Sequence, residues 1–343
     1  MVSMCSFGRL PDGREVGLYT LMGGGVEVQV TNYGGIITSL KVPNAEGEVG
    51  DIVHGFASLD EYLGNHPYFG CVVGRFANRI AGGCFILDGV VHKLAQNDGI
   101  NSLHGGIKGF DKVLWDAEVT GDSLKHSYLS PDGEGGYPGN LDADVIYALN
   151  SRGEFSIGYR AVTDKPTIVN LTNHTYFNLA CGGDILGHEL TLDADYFTPA
   201  DSRLIPTGEV RCVAGTPMDF RHPTKIGARI DMRDEQLVNG KGYDCNWVVN
   251  GEADRLRRVA TLRDPSSGRV MVVSTTQPGI QFYTGNFLDG SLRGKGRVYT
   301  RRSGLCLETQ HYPDAPDRRA FPSAVLRPEE LYQEKTVFRF HAG

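Results

Sequence analysis

The 343-residue sequence contains no run near the roughly 18 apolar residues that a membrane-crossing helix needs. It has no excess of basic charge either. With 34 Lys and Arg against 41 Asp and Glu the net charge is -7, which argues against a nucleic acid or an anionic membrane as partner. The first residues, Met1-Val2-Ser3-Met4-Cys5-Ser6, lack the basic start and apolar stretch of a secretory signal. Seven cysteines, scattered and without a C-x-x-C pair, fit free thiols in a reducing compartment better than disulfides or zinc. The expectation is a cytoplasmic protein. The triplets Asn170-Leu171-Thr172 and Asn173-His174-Thr175 are then chance matches to a glycosylation signal. Familiar catalytic signatures are missing as well. His188-Glu189 is followed by Leu192 where H-E-x-x-H needs its second histidine, and no G-x-S-x-G or G-x-x-x-x-G-K occurs. The glycine-rich stretch from Gly133 to Gly139 lacks the Lys-Ser/Thr ending and reads as a surface loop.

Helical periodicity is confined to short pieces near residues 58–63 and 233–238, and no strand–helix alternation supports a parallel α/β sheet. What is present is β structure. Runs of β-branched and aromatic residues recur at 26–31, 36–42, 144–149, 155–162, 167–172 and 336–340, separated by Gly, Pro, Asn and Asp. Asp88-Gly89 between Phe85-Ile86-Leu87 and Val90-Val91-His92 predicts a two-residue hairpin turn. A second hairpin is expected where residues 258–262 and 269–273 flank Asp264-Pro265-Ser266-Ser267-Gly268. Hydrophobic content of 40% and charge of 22% are those of a globular protein. Length alone would suggest about two domains. The 45 Gly and 16 Pro are nevertheless spread along the whole chain, and no shift in composition marks a boundary. One all-β domain over residues 1–343, a large antiparallel β-sandwich, is therefore expected.

Three short segments concentrate polar chemistry: Asn78-Arg79, Asn101-Ser102-Leu103-His104-Gly105-Gly106, and Asn173-His174-Thr175-Tyr176-Phe177-Asn178-Leu179. An arginine and two histidines among amides and hydroxyls suit a polar, uncharged ligand. Each also has a plainer reading. Arg79 could be a solvated strand charge, His104 a surface loop residue, and His174 a satisfied core histidine. Glu308, in Leu305-Cys306-Leu307-Glu308-Thr309-Gln310, falls by strand alternation on the face opposite Leu305 and Leu307. On a solvated face it would mean nothing; lining a cleft, it is a candidate base.

Taken together, 74–80, 101–115, 172–179, Gly242-Tyr243-Asp244, 278–285 and Leu307-Glu308-Thr309-Gln310 closely resemble the aldose 1-epimerase family, the galactose mutarotases, over residues 18–340. The resemblance implies a large β-sandwich, a free monosaccharide substrate, and no metal or organic cofactor. It assigns Glu308 as general base and His174 as general acid, with Asn78, Arg79, His104, Asp244 and Gln281 binding the sugar. The residue types suit that chemistry. Ring opening of a hemiacetal takes a proton from the anomeric hydroxyl and gives one to the ring oxygen. A histidine that ionises near ~6.5 needs negative charge nearby to stay protonated, and Asp244 is a candidate for that influence. A glycosidase would want two carboxyl groups, a non-catalytic sugar sensor would not need both Glu308 and His174, and a phosphorylated hexose would want extra Arg or Lys.

Overall fold

The computed structural model describes residues 2–343; Met1, part of the N-terminal stretch read above, lies outside the described residues. Three antiparallel sheets hold most of the strand residues. The largest has nine strands in the order Asp116–Thr120, Ser123–Ser130, Leu141–Leu149, Glu154–Thr163, Tyr332–Ala342, Arg269–Thr275, Arg257–Arg263, Glu189–Leu192 and Thr224–Lys225. The second has six: Tyr176–Phe177, Leu305–Gln310, Gly279–Tyr283, Asp244–Val248, Tyr196–Thr198 and Arg211–Cys212. A five-stranded meander runs from Val2–Arg9 to Val49–Asp51.

The alternation expected of half-buried strands holds in the nine-stranded sheet. Along Leu141–Leu149, Leu141, Ala143, Val145, Tyr147 and Leu149 are buried, while the residues between them are exposed or half-buried. These side chains meet Phe177, Trp247, Phe282, Leu305 and Leu307 of the six-stranded sheet, and Val28 and Leu40 of the meander, in one core. Each Leu or Phe fully buried there contributes on the order of 1.5–3 kcal/mol. The core takes only one face of the six-stranded sheet. Tyr176, Cys306 and Tyr283 point the other way, as alternation requires.

Both hairpins form where expected: Cys84–Leu87 pairs with Val90–Lys93, and Arg257–Arg263 with Arg269–Thr275. The short helices are Leu59–Leu63 and Glu235–Gly240. The stretch 167–172 departs from a single strand. Thr167–Ile168 pairs with Val325–Leu326, and Thr172–Asn173 with Val72–Val73. Between them the Asn170 amide donates to the Arg75 carbonyl and the Leu171 amide to the Tyr332 hydroxyl. β-Branched residues favour the extended chain, but the pairing partners change along it. All seven cysteines are free thiols. The Asn170 and Asn173 side-chain amides donate to backbone carbonyls of Ala77, His311 and Gly70, so neither is presented as a surface acceptor. No helix among the described residues is long and apolar enough to cross a membrane.

Candidate active site

The strand Leu305–Gln310 is buried at all six positions. Leu305 and Leu307 enter the core, and the Thr309 hydroxyl lies 2.6 Å from that of Thr336 in the nine-stranded sheet. Cys306, Glu308 and Gln310 therefore occupy the far face. The three polar segments border that face and line a cavity of about 140 Å³. Glu308, His174, His104, Arg79, Asn78 and Asp244 all line it. Tyr68, Tyr176, Tyr283 and Phe287 supply aromatic wall. Gln281 does not reach the cavity. It is the register partner of Glu308 on the neighbouring strand, and its amide donates to Asp244 Oδ1 at 2.7 Å, holding that carboxylate from behind.

His174 is fixed by its own backbone. Its amide donates to the Cys71 carbonyl and its carbonyl accepts from the Gly70 amide, extending the pairing of Thr172–Asn173 with Val72–Val73. The ring then presents Nε2 to Glu308 Oε1 at 3.8 Å and Nδ1 to Cys306 Sγ at 3.5 Å. The Nε2–Oε1 gap is too long for a hydrogen bond. Glu308 is 2% exposed and its Oε2 has no partner. An unsatisfied carboxylate oxygen this deep in a protein costs stability unless something occupies the space before it.

The opposite wall is strained. Tyr68, Asn78 and His104 all hold left-handed backbone, with φ of 58°, 66° and 53°. Such conformations are uncommon outside glycine and cluster at functional sites. Asn78 and His104 close a reciprocal lock: the Asn78 amide donates to His104 Nδ1 at 3.2 Å, and the His104 amide donates to the Asn78 carbonyl at 3.1 Å. Gly105 follows His104 because a Cβ there would sit 1.9 Å from the Gly74 carbonyl oxygen. Arg79 is no solvated charge: its Nε donates to Asp98 Oδ2 at 2.7 Å, and its side chain is 12% exposed.

Electrostatics follow from this enclosure. Burial, reinforced by the Asp244 charge and opposed by Arg79, pushes the Glu308 carboxyl well above its ordinary range. Burial likewise pushes His174 down to about 4, and burial with His174 and Arg79 nearby pushes His104 well below its usual value. Burial raises Asp244 as well, against Arg79 and the Gln281 hydrogen bond. This corrects one expectation. Asp244 does not hold His174 protonated: its charge bears on Glu308, and the carboxyl facing His174 is Glu308 itself.

His104, His174 and Glu308 each offer a possible metal ligand, with the three atoms within 4.8 Å of one another. The set fits a metal poorly. With Nδ1 occupied by the Asn78 amide, the neutral His104 ring carries its hydrogen on Nε2 and has no lone pair to give the cavity. His104 is a hydrogen-bond donor.

Sequence reasoning missed Cys306, Tyr68, Tyr283 and Asp98. Only Tyr283 lay within a stretch carrying a resemblance and a candidate residue nearby; Asp98 and Tyr68 are joined to the site by loop geometry alone. The aldose 1-epimerase family model matches residues 17–339. The chain is 48% identical to galactose mutarotase of Sus scrofa over 99% of this chain and 98% of that one. It is 37% identical to aldose 1-epimerase of Escherichia coli K12 over 97% of each. The crystal structure of an aldose epimerase homologue from C. elegans superposes with a TM-score of 0.89 at 28% identity, over 95% of this chain and 99% of that one. With a family match across nearly its whole length and full-length relatives this similar, the chain belongs to the aldose 1-epimerase family of isomerases.

Proposed function

We propose that this protein interconverts the α and β anomers of free aldohexoses, galactose and glucose, with Glu308 as base and His174 as acid. The observation that carries the reading is the Glu308–His174 pair, 3.8 Å apart with an unpartnered Oε2, facing one small cavity. Glu308 takes the proton of the anomeric hydroxyl as the C1–O1 double bond forms. The C1–O5 bond breaks, its electron pair goes to the ring oxygen, and His174 Nε2 delivers a proton there. Rotation about C1–C2 presents the other carbonyl face, and the same two transfers run backwards. One proton leaves the pair as another enters it, so the pair holds a single proton throughout and the cavity never gains net charge. Each transfer is worth roughly 10²–10⁴-fold.

Burial favours the neutral arrangement, with the proton on Glu308, while the cavity is empty. Sugar hydroxyls donating to the carboxylate favour its charged form and draw the pair into its reactive state. Around it, Arg79 and the His104 Nε2–H donate and Asp244, held by Gln281, accepts, a mixture that suits vicinal hydroxyls; Asn78 positions His104. A phosphorylated hexose is disfavoured, since Arg79 is already engaged by Asp98 and two further carboxyl groups face the space. We read residues 1–343 as one domain, supported by the core that all three sheets share, and place it in the cytoplasm on the strength of its seven free thiols. Polarimetry of freshly dissolved α-galactose, α-glucose and a pentose, one at a time, tests the proposal. Enzyme-accelerated decay of rotation is expected with both hexoses, and decay at the uncatalysed rate with both would overturn it.

A further inference from the structure

One imidazole touches two side chains of the same strand. Cys306 and Glu308 are two residues apart on Leu305–Gln310 and so share a face, and the His174 ring spans them with Nδ1 toward Sγ and Nε2 toward Oε1. The nitrogen that trades protons in the reaction is the one facing Glu308. After it gives its proton to the ring oxygen, the neutral ring must keep its remaining hydrogen on Nδ1, because only then is Nε2 left with a lone pair to take the proton back. Which nitrogen keeps the hydrogen is decided by the partner of the other edge.

We propose that Cys306 is a positioning residue of the reaction: its sulfur accepts the Nδ1–H of His174, fixing that hydrogen and leaving Nε2 as the nitrogen that gives and takes. A thiol sulfur is a weak acceptor, and 3.5 Å is a suitable N–H···S separation. The thiol stays protonated, since burial first, and then the Glu308 and Asp244 charges, raise it well above its usual value. A neutral partner adds no charge to a site where charge is already costly. Five groups besides Cys306 surround the ring: Glu308 from the strand, His104 and Tyr68 from the neighbouring loops, Tyr176 and Tyr283. None of these side chains has a hydrogen-bonding contact with Nδ1; the other hydrogen bond to the ring is with the backbone of His174 itself. His104 is wired the opposite way, with a backbone donor on Nδ1 and its own hydrogen on Nε2. Two rings 5.2 Å apart thus hold opposite neutral tautomers, one for binding and one for proton exchange.

Cys306 lies behind the ring and is not part of the cavity wall, so its loss should lower kcat and spare KM. In Cys306→Ala the ring loses its side-chain partner at Nδ1 and is less firmly held in the Nδ1–H form, and kcat is expected to fall about tenfold, as for loss of one hydrogen bond, with KM within about twofold. Cys306→Ser, whose hydroxyl oxygen accepts from the same N–H, should recover most of it. Wild-type kcat in Cys306→Ala, or a serine variant no better than alanine, would overturn the proposal. A measurement on the unaltered protein decides the matter even if the alanine variant does not fold. In ¹⁵N-histidine-labelled protein at pH 8, two-bond proton–nitrogen spectra should show His174 as the Nδ1–H tautomer and His104 as Nε2–H, the signals identified by their loss in His174→Asn and His104→Gln. An Nε2–H tautomer for His174 would contradict it.

Discussion

Each of the two large sheets buries an imidazole, and the two could hardly serve more different ends. His126, on Ser123–Ser130 of the nine-stranded sheet, is fully buried with both ring nitrogens unpartnered, and packs edge-on against Tyr19 and Tyr147. Burial pushes it down to about 3, and no charged side chain bears on it. His174 is nearly as deeply buried and is pushed down to about 4, yet its ring lines a cavity and its nitrogens face a thiol and a carboxyl. Burial and a displaced titration are common to both rings. What separates the packed histidine from the one proposed to react is what each nitrogen meets. The strands beside them differ likewise: Leu141–Leu149, paired with the strand of His126, alternates between core and surface, whereas Leu305–Gln310, which the His174 ring faces, is buried on both faces and carries Cys306, Glu308 and Gln310 on the one turned from the core.

The hardest test of that contrast is Glu308→Gln, which keeps the shape and removes the proposed base. The rate of mutarotation should fall by about 10³-fold or more. Stability should move the other way. The folded-state pKa of Glu308 is raised, so its carboxyl supports the fold only at low pH, and that support is lost as pH rises through the raised value. At pH 7 the glutamine variant should therefore melt at the same temperature as wild type or higher, with the difference shrinking toward pH 4. An inactive variant that also melts well below wild type at pH 7 would mean that the loss is one of folding.

His174→Asn should cost about 10²-fold, polarimetry again giving the rate. His104 cannot take over, because protonating its Nδ1 would set an N–H against the Asn78 amide. A His174→Asn enzyme at full rate would show that this lock does not hold. The smallest effect belongs to the other sheet. His126→Leu removes two unsatisfied buried nitrogens, so its rate should stay within about twofold of wild type and its melting temperature should not fall steeply. A tenfold loss of rate would erase the distinction between the two rings.

Much of this was legible from residue pattern. Alternation placed Glu308 opposite Leu305 and Leu307, and Asp88-Gly89 announced its hairpin, because both rest on local rules of the chain. The broken pairing of residues 167–172 was not legible: those residues suit an extended chain equally well whether one partner runs beside them or several in turn. Cys306 was hidden for a similar reason. Nothing within Leu305-Cys306-Leu307 marks a contact with a histidine 132 positions earlier. The role first given to Asp244 failed because residue type states a charge and not its neighbours; Gln281 and Arg79 claim that carboxylate, and Glu308 stands nearer to His174.

The central claim is that the buried pair opens the sugar ring without releasing the anomeric oxygen. In that route the bond from C1 to the ring oxygen breaks while O1 stays attached; a displacement at C1 would expel O1 and let water add from the other face. α-Glucose or α-galactose carrying heavy oxygen at O1 should therefore equilibrate its anomers in ordinary water with no enzyme-accelerated loss of label by mass spectrometry. Label lost in step with anomer exchange would contradict the account, even if Glu308 and His174 both proved indispensable.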